Sequence, residues 1–201
     1  MANNQAEYYR GVEAAGSAVA ALPTVAAQAR ATAVHAISDD LLRDTSAVAE
    51  RACRVGCSHC CHFPVGVTFG EALAVAEVVR ASSALTASLH RERAASAALP
   101  WAQLVGRACP FLVQGHCAVY AVRPLPCRAL ASRDANACAA VLHGAKGIEV
   151  PRDDEAYWRG LGAAAILAAD HPAGSRELRS AVAALLAESS AAAFATAQPT
   201  D

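Results

Sequence analysis

Long segments with apolar residues at helical spacing alternate along the chain with short stretches punctuated by glycine and proline. Leu73, Val75, Val78 and Val79 mark a helix that the Thr68-x-x-Glu71 capping box opens, and residues 84–98 predict a helical surface partner ending at Pro100-Trp101. Pro151-Arg152-Asp153-Asp154 starts a helix through Ala169 that His171-Pro172 stops. Leu178, Val182, Leu185 and Leu186 lie on one face of a last helix, capped at Gly174-Ser175, beyond which the tail from Ala191 to Asp201 is expected to fray. Residues 5–36 read as helix interrupted at Pro23. Ser38-Asp39-Asp40 predicts the start of a helix over 39–52, with Gly56 as a left-handed stop just after it. Ser132-Arg133-Asp134 starts a helix that stops at Gly144. His62–Val67 is held extended by Pro64 and Gly66. Between 106 and 131, Gly106, Pro110, Gly115, Pro124 and Pro126 leave room only for short helical turns, one of them near Ala118–Val122. No internal repeat of fixed period is present. The expected fold is mainly α, a small helical domain with irregular cysteine-rich loops. It divides into N-terminal helices (1–52), a cysteine-cluster core (53–143) and C-terminal helices (144–201) packing on the same domain.

A length of 201 residues suits one domain. Alanine makes up about a quarter of the chain, which favours helix, and aromatic residues contribute only 5%, so the core must come from Ala, Val and Leu. A net charge of −1 with no long basic run argues against a phosphate-tracking surface, hence against nucleic acid. The N-terminus shows no basic start followed by an apolar leader, and no segment is apolar for the ~18 residues that a membrane span needs. The expectation is a soluble, cytoplasmic protein that binds neither membrane nor nucleic acid. In a reducing compartment, clustered cysteines more often bind metal than form structural disulfides.

Chemistry is concentrated in the eight cysteines, all between positions 53 and 138. Cys53, Cys57, Cys60 and Cys61 fall within nine residues. Cys109, Cys117, Cys127 and Cys138 follow at wider spacing. Four thiols that close together cannot all pack into an apolar core. Thiolates are soft ligands that suit zinc, copper(I) and iron–sulfur clusters, and eight of them satisfy two four-ligand sites. Cys57-x-x-Cys60 is a spacing that converges two sulfurs on one ion. The adjacent Cys60 and Cys61 tend to diverge and are candidates for two different ions or for a bridge, so the second group is expected to fold back and complete the first. Cys138, in an Ala-rich helical segment, also fits a plain buried thiol. A redox-active Cys-x-x-Cys would want a strand–helix setting that a helical chain does not offer. His59, His62 and His116 sit beside cysteines as further ligands or as ordinary polar residues, whereas His35, His90, His143 and His171 read as surface or packing residues. Arg54, Arg107, Arg123 and Arg128 can offset thiolate charge or simply be solvated. The pairs Asp39-Asp40 and Asp153-Asp154 read as helix caps. Motifs of hydrolases, Walker-type nucleotide binders and dinucleotide binders are lacking, so no catalytic residue is nominated.

Cys53-x3-Cys57-x2-Cys60-Cys61, then Cys109-Pro110-Phe111-Leu112, Gly115-His116-Cys117, Val119-Tyr120, Arg123-Pro124 and Cys127-Arg128, resembles the YkgJ-type cysteine-cluster (CxxCxxCC) family of zinc- or iron-chelating proteins. The resemblance covers about residues 53–138. It implies metal binding, with iron, alone or as an iron–sulfur cluster, or zinc as the cofactor. The ligand set it implies is Cys53, Cys57, Cys60, Cys61, Cys109, Cys117 and Cys127, with Cys138 in the weaker C-terminal part of the pattern. Similar modules occur in flagellin lysine methylases, but this chain shows no recognisable methyl-donor site and that activity is not carried over. The leading expectation is a metal store, carrier or sensor. An iron–sulfur enzyme or electron carrier with an open coordination position, and a structural zinc module that binds a protein partner, stand as alternatives. Because the thiol-bearing loops have little apolar surface, metal binding is expected to couple to their folding, so that removing metal loosens 53–138 more than the flanking helices. Tyr120 is expected either over the site or in the core.

Overall fold

The computed structural model describes residues 2–22, 26–54 and 56–200, and it is mainly α-helical. The helices are α1 (Ala2–Ala20), α2 (Ala27–Arg43), α3 (Phe69–Arg80), α4 (Ser83–Ser96), α5 (Leu125–Ala129), α6 (Ala135–Leu142), α7 (Asp154–Ala169), α8 (Leu178–Ala187) and α9 (Ala191–Ala195). Two short antiparallel pairs complete the fold. Strand β1 (Gly66–Val67) pairs with β4 (Arg176–Glu177), and β2 (Leu112–Val113) pairs with β3 (His116–Cys117). Among the described residues, no helix is long and apolar enough to cross a membrane.

Two apolar clusters hold the helices together. One gathers Val75, Val79, Leu89, Phe111, Val182, Leu185 and Phe194 from α3, α4, α8, α9 and the loop before β2. The other joins Ala15, Val34, Leu125, Ala163 and Leu167 from α1, α2, α5 and α7. With few aromatics available, backbones must approach closely to exclude water. Helix α1 lies along α7 at glycine contacts, where a Cβ added at Gly162 would stand 2.1 Å from the Tyr8 carbonyl oxygen.

Several predicted elements appear with the chemistry that predicted them. The Thr68–Glu71 capping box opens α3. Asp134 accepts from the amides of Asn136 and Ala137 to open α6, Asp153 accepts from Ala156 to open α7, and Gly56 and Gly144 take the left-handed conformation at φ +86° and +87°. Pro23 lies outside the described residues.

Other predictions are corrected. Ser38 and Asp39 do not start a helix. They lie inside α2, which ends at Arg43, and 45–52 continues as turns and a short 3₁₀ segment. Asp39 has a distant partner instead of a capping role: both its oxygens lie 2.7 Å from Arg128 Nη1. The helix expected to be capped at Gly174-Ser175 is α8, which starts at Leu178 with Glu177 as its cap because Arg176 and Glu177 are taken up by pairing with β1, and α9 follows it. The tail is not frayed in its described part. Phe194 is fully buried against Phe69 and His171, and the Gln198 carbonyl accepts from the Glu177 amide at 2.8 Å.

Candidate metal centre

Several thiol-bearing segments are fastened at their backbone by buried polar or charged groups, and others by main-chain bonds. Before Cys53, Arg51 pairs with Asp153 at 2.8 Å, and Asp153 also accepts from Thr45 at 2.6 Å while capping α7. Ala52 donates to the Ser132 carbonyl at 2.8 Å, and the Ser132 amide donates to Cys53 Sγ at 3.3 Å. After the Gly56 turn, residues His59–His62 form one 3₁₀ turn that carries Cys60 and Cys61. Its carbonyls receive the next segment: the Gly106 amide donates to His62 and the Cys109 amide to Cys61, both at 2.7 Å. The two cysteine groups, far apart in sequence, are joined there by main-chain bonds.

Cys117 lies on a hairpin whose two-residue loop, Gln114-Gly115, takes positive φ at both positions, +50° and +77°. That loop matches the twist of a short antiparallel pair, and Gly tolerates it without strain. Cys127 rides on α5, whose first residue is fixed from below. The buried Glu71 carboxylate accepts from the Leu125 amide at 2.7 Å, from His35 Nε2 at 3.1 Å, and from the Thr68 amide and hydroxyl at 3.0 and 2.8 Å. Arg128, beside Cys127, binds Asp39 and donates to the carbonyls of Arg123 and Ala121, each at 2.7 Å. Cys138 is on α6, which packs on the 59–62 turn. No cysteine among the described residues is disulfide-bonded. Cys53 is exposed and the other seven are partly buried.

The electrostatics show which thiols are neighbours. Cys53 is raised by burial, and negative charge on Cys57, Cys60 and Cys138 adds to the rise. Cys60 is raised strongly, first by its hydrogen-bonding neighbour Cys61 and then by burial. Burial pushes Cys109 up to about 11, opposed by the Phe111 amide and the Arg179 charge and reinforced by Cys117. Cys117 is raised by burial and by Cys60, while the Val119 amide and Arg123 act the other way. Cys127 is raised well above 9.0 by burial and by Cys109, Cys60 and Cys117. Cys60 bears on Cys53, Cys117 and Cys127 and is itself raised by Cys61, while Cys57 and Cys138 bear on Cys53 and Cys109 on Cys127. Among the described residues, no three His, Cys, Asp or Glu side chains are grouped tightly enough, as they stand, to hold a metal ion.

The other expected groups divide. His62 and His116 bond through Nδ1 to the carbonyls of Ser58 and Gln114. Arg107 turns to Glu92 in a two-pronged ion pair at 2.6 and 3.0 Å, and Arg128 turns to Asp39, so neither is a simple thiolate counter-charge. Arg123 does act on Cys117 and lies 3.8 Å over the ring of Tyr120, which is 62% exposed and belongs to no core. His35, read as a surface or packing residue, is the buried partner of Glu71. Sequence reasoning missed Arg179, which is fully buried and donates from Nη2 to the carbonyls of Arg107 and Ala108 at 3.0 and 3.4 Å. Its only signal in the sequence was a lone arginine at the start of an apolar helix.

A helical scaffold that carries eight free thiols offers the soft donors that suit a soft metal. Residues 52–145, which include every cysteine, match the model of the CxxCxxCC family, described as a "Putative zinc- or iron-chelating domain". The match supports metal binding. No curated protein and no solved structure matches the chain.

Proposed function

We propose that the protein binds iron, as single ions or as an iron–sulfur cluster, or alternatively zinc, through its eight cysteines, and that it stores, delivers or senses the metal. What supports this reading is a set of eight cysteines, none of them in a disulfide, whose two groups are joined through the hydrogen bond from the Cys109 amide to the Cys61 carbonyl at 2.7 Å. Two four-thiol groups account for the set. Cys53, Cys57 and Cys138 form the outer one, Cys109, Cys117 and Cys127 the inner one, and Cys60 and Cys61 supply the fourth ligand to each. Coordination draws the side chains together from their present positions, which costs rotamer freedom more than backbone rearrangement because the loops are already fastened. Exposure of Cys53 favours exchange with a donor or acceptor over a sealed structural site.

The test is metal and acid-labile sulfide analysis, with an absorption spectrum, on protein purified without oxygen. At four ligands per site, about two zinc or iron ions per chain are expected. Iron with sulfide and a band near ~400 nm identifies a cluster. Protein that contains and takes up neither metal, with all eight thiols titrating freely, overturns the proposal.

A further inference from the structure

The segment that matches the family model ends at residue 145, yet one of its thiol-bearing loops is held from outside it. Arg179, near the start of α8, is 2% exposed, and its guanidinium reaches the carbonyls of Arg107 and Ala108, the two residues before Cys109. The same loop pairs on its other side with the first cysteine group, through Gly106 to His62 and Cys109 to Cys61. Glu177, fully buried at the end of β4, fixes Arg179 at 2.9 Å while it caps α8 through the Ser180 amide at 2.9 Å. Arg179 Nε is buried without a hydrogen-bond partner, with a carboxylate oxygen of Glu92 3.6 Å away. A buried guanidinium with an unfilled donor beside a loop that carries a soft ligand is poised to respond when that loop shifts, because an unmet buried donor is costly.

We propose that Arg179 is a positioning residue for the metal centre, through which docking of α8 and metal binding at Cys109 are coupled. This rests on the metal-binding reading above. If metal fixes Cys109, the 106–109 loop becomes a firmer acceptor for Arg179, and α8 is held more tightly. By reciprocity, loosening Arg179 weakens metal binding. Groups that orient ligands from outside the coordination shell commonly change affinity by about 10–100-fold.

The test compares the full-length wild type with Arg179→Met and Arg179→Lys, using zinc and a competing chelator, together with amide exchange of the wild type with and without zinc. Arg179→Met is expected to bind zinc at unchanged stoichiometry but about 10-fold or more weakly. Arg179→Lys, which keeps a donor and the charge, should recover part of that loss. Zinc should slow exchange in 178–187 of the wild type more than in α1. A wild type that takes up no zinc or iron overturns the metal reading itself. A wild type that binds zinc with no change of exchange in 178–187, or a folded Arg179→Met with wild-type affinity, overturns the coupling. If Arg179→Met does not fold, the wild-type exchange result decides.

Discussion

Glu71 offers the sharpest test of how the thiol loops are held. Its carboxylate is fully buried and receives four donors, two on each oxygen: Leu125 and His35 on one, the Thr68 amide and hydroxyl on the other. Burial alone raises its pKa, but His35 and the Leu125 and Thr68 amides outweigh that effect and hold it below 4.5. Glu71→Gln keeps the shape, leaves one oxygen, and turns an NH2 group against one pair of donors. Two buried donors left unmet cost about 1–3 kcal/mol each, so a loss of roughly 3–5 kcal/mol is expected. That is a large part of the 5–15 kcal/mol typical of a domain. Urea unfolding at pH 7 in reductant and chelator measures it, with the midpoint expected to fall and the slope to stay constant. The group's folded pKa is depressed, so its contribution is complete above about 4.5 and is lost as pH falls through the lower folded value. The gap between wild type and variant should therefore close on acidification. Because Leu125 opens the helix that carries Cys127, that thiol should also react faster with a disulfide reagent in the variant. A cost below about 1 kcal/mol at pH 7, or a gap that widens in acid, refutes the reasoning.

Other perturbations probe separate parts of the structure. Gly16 in α1 has nothing within 4 Å of an added Cβ, so Gly16→Ala should stabilise by about 0.5–1 kcal/mol. Gly162→Ala meets the Tyr8 backbone and should destabilise clearly; equal effects in thermal melts would contradict the close α1–α7 contact. Phe194→Ala empties a fully buried site and should cost about 3–5 kcal/mol, whereas a frayed tail would make it neutral. In chelator, the thiol at Cys109 keeps its proton up to about 11 when folded but loses it near 9.0 when unfolded, so stability should fall as pH rises through that interval. With zinc present the trend from pH 6 to 8 should be the reverse, since the ligands bind as thiolates and metal binding releases their protons. Zinc affinity independent of pH would exclude thiolate ligation.

What could be read from the sequence was what local chemistry decides. The capping box at Thr68 and the caps at Asp134 and Asp153 depend on residues within a few positions of each other, and they appear as read, whereas Gly56 is left-handed as read but ends no helix. The cysteine locus was legible because soft ligands crowded at short spacing must bond to one another or to a metal. Asp39 shows where local reading ends. Its type and position suit a helix start, but Arg128, 89 residues away, takes both its oxygens, and the helix runs through it. The start of α8 was misplaced because Arg176 and Glu177 pair with Gly66 and Val67, and the tail was misjudged because Phe194 finds Phe69 and His171. Each error is a long-range partner outweighing a sound local preference.

The same long-range partners bear on how metal binding and folding are connected. Read from the sequence, these loops have little apolar surface, which by itself argues that only metal could order them, although Phe111 and Val119 in fact reach the first apolar cluster. Yet Arg51–Asp153 fastens the approach to Cys53, Glu71 and Arg128 fasten α5 around Cys127, and Arg179 fastens the approach to Cys109. Buried ion pairs add little net stability against apolar replacements, but removing one partner leaves an uncompensated charge and costs about 3–5 kcal/mol. They therefore specify one backbone path while leaving the sulfurs themselves unbonded and able to turn. On this view chelator should loosen the side chains of the cysteine loops without unfolding their backbone. Amide exchange at Leu125, whose amide is bound to Glu71, should change little, while thiol reactivity at Cys127 rises sharply. If Leu125 instead exchanges as fast as an unfolded amide once metal is removed, the charged anchors are too weak to order the loops, and metal is what folds them.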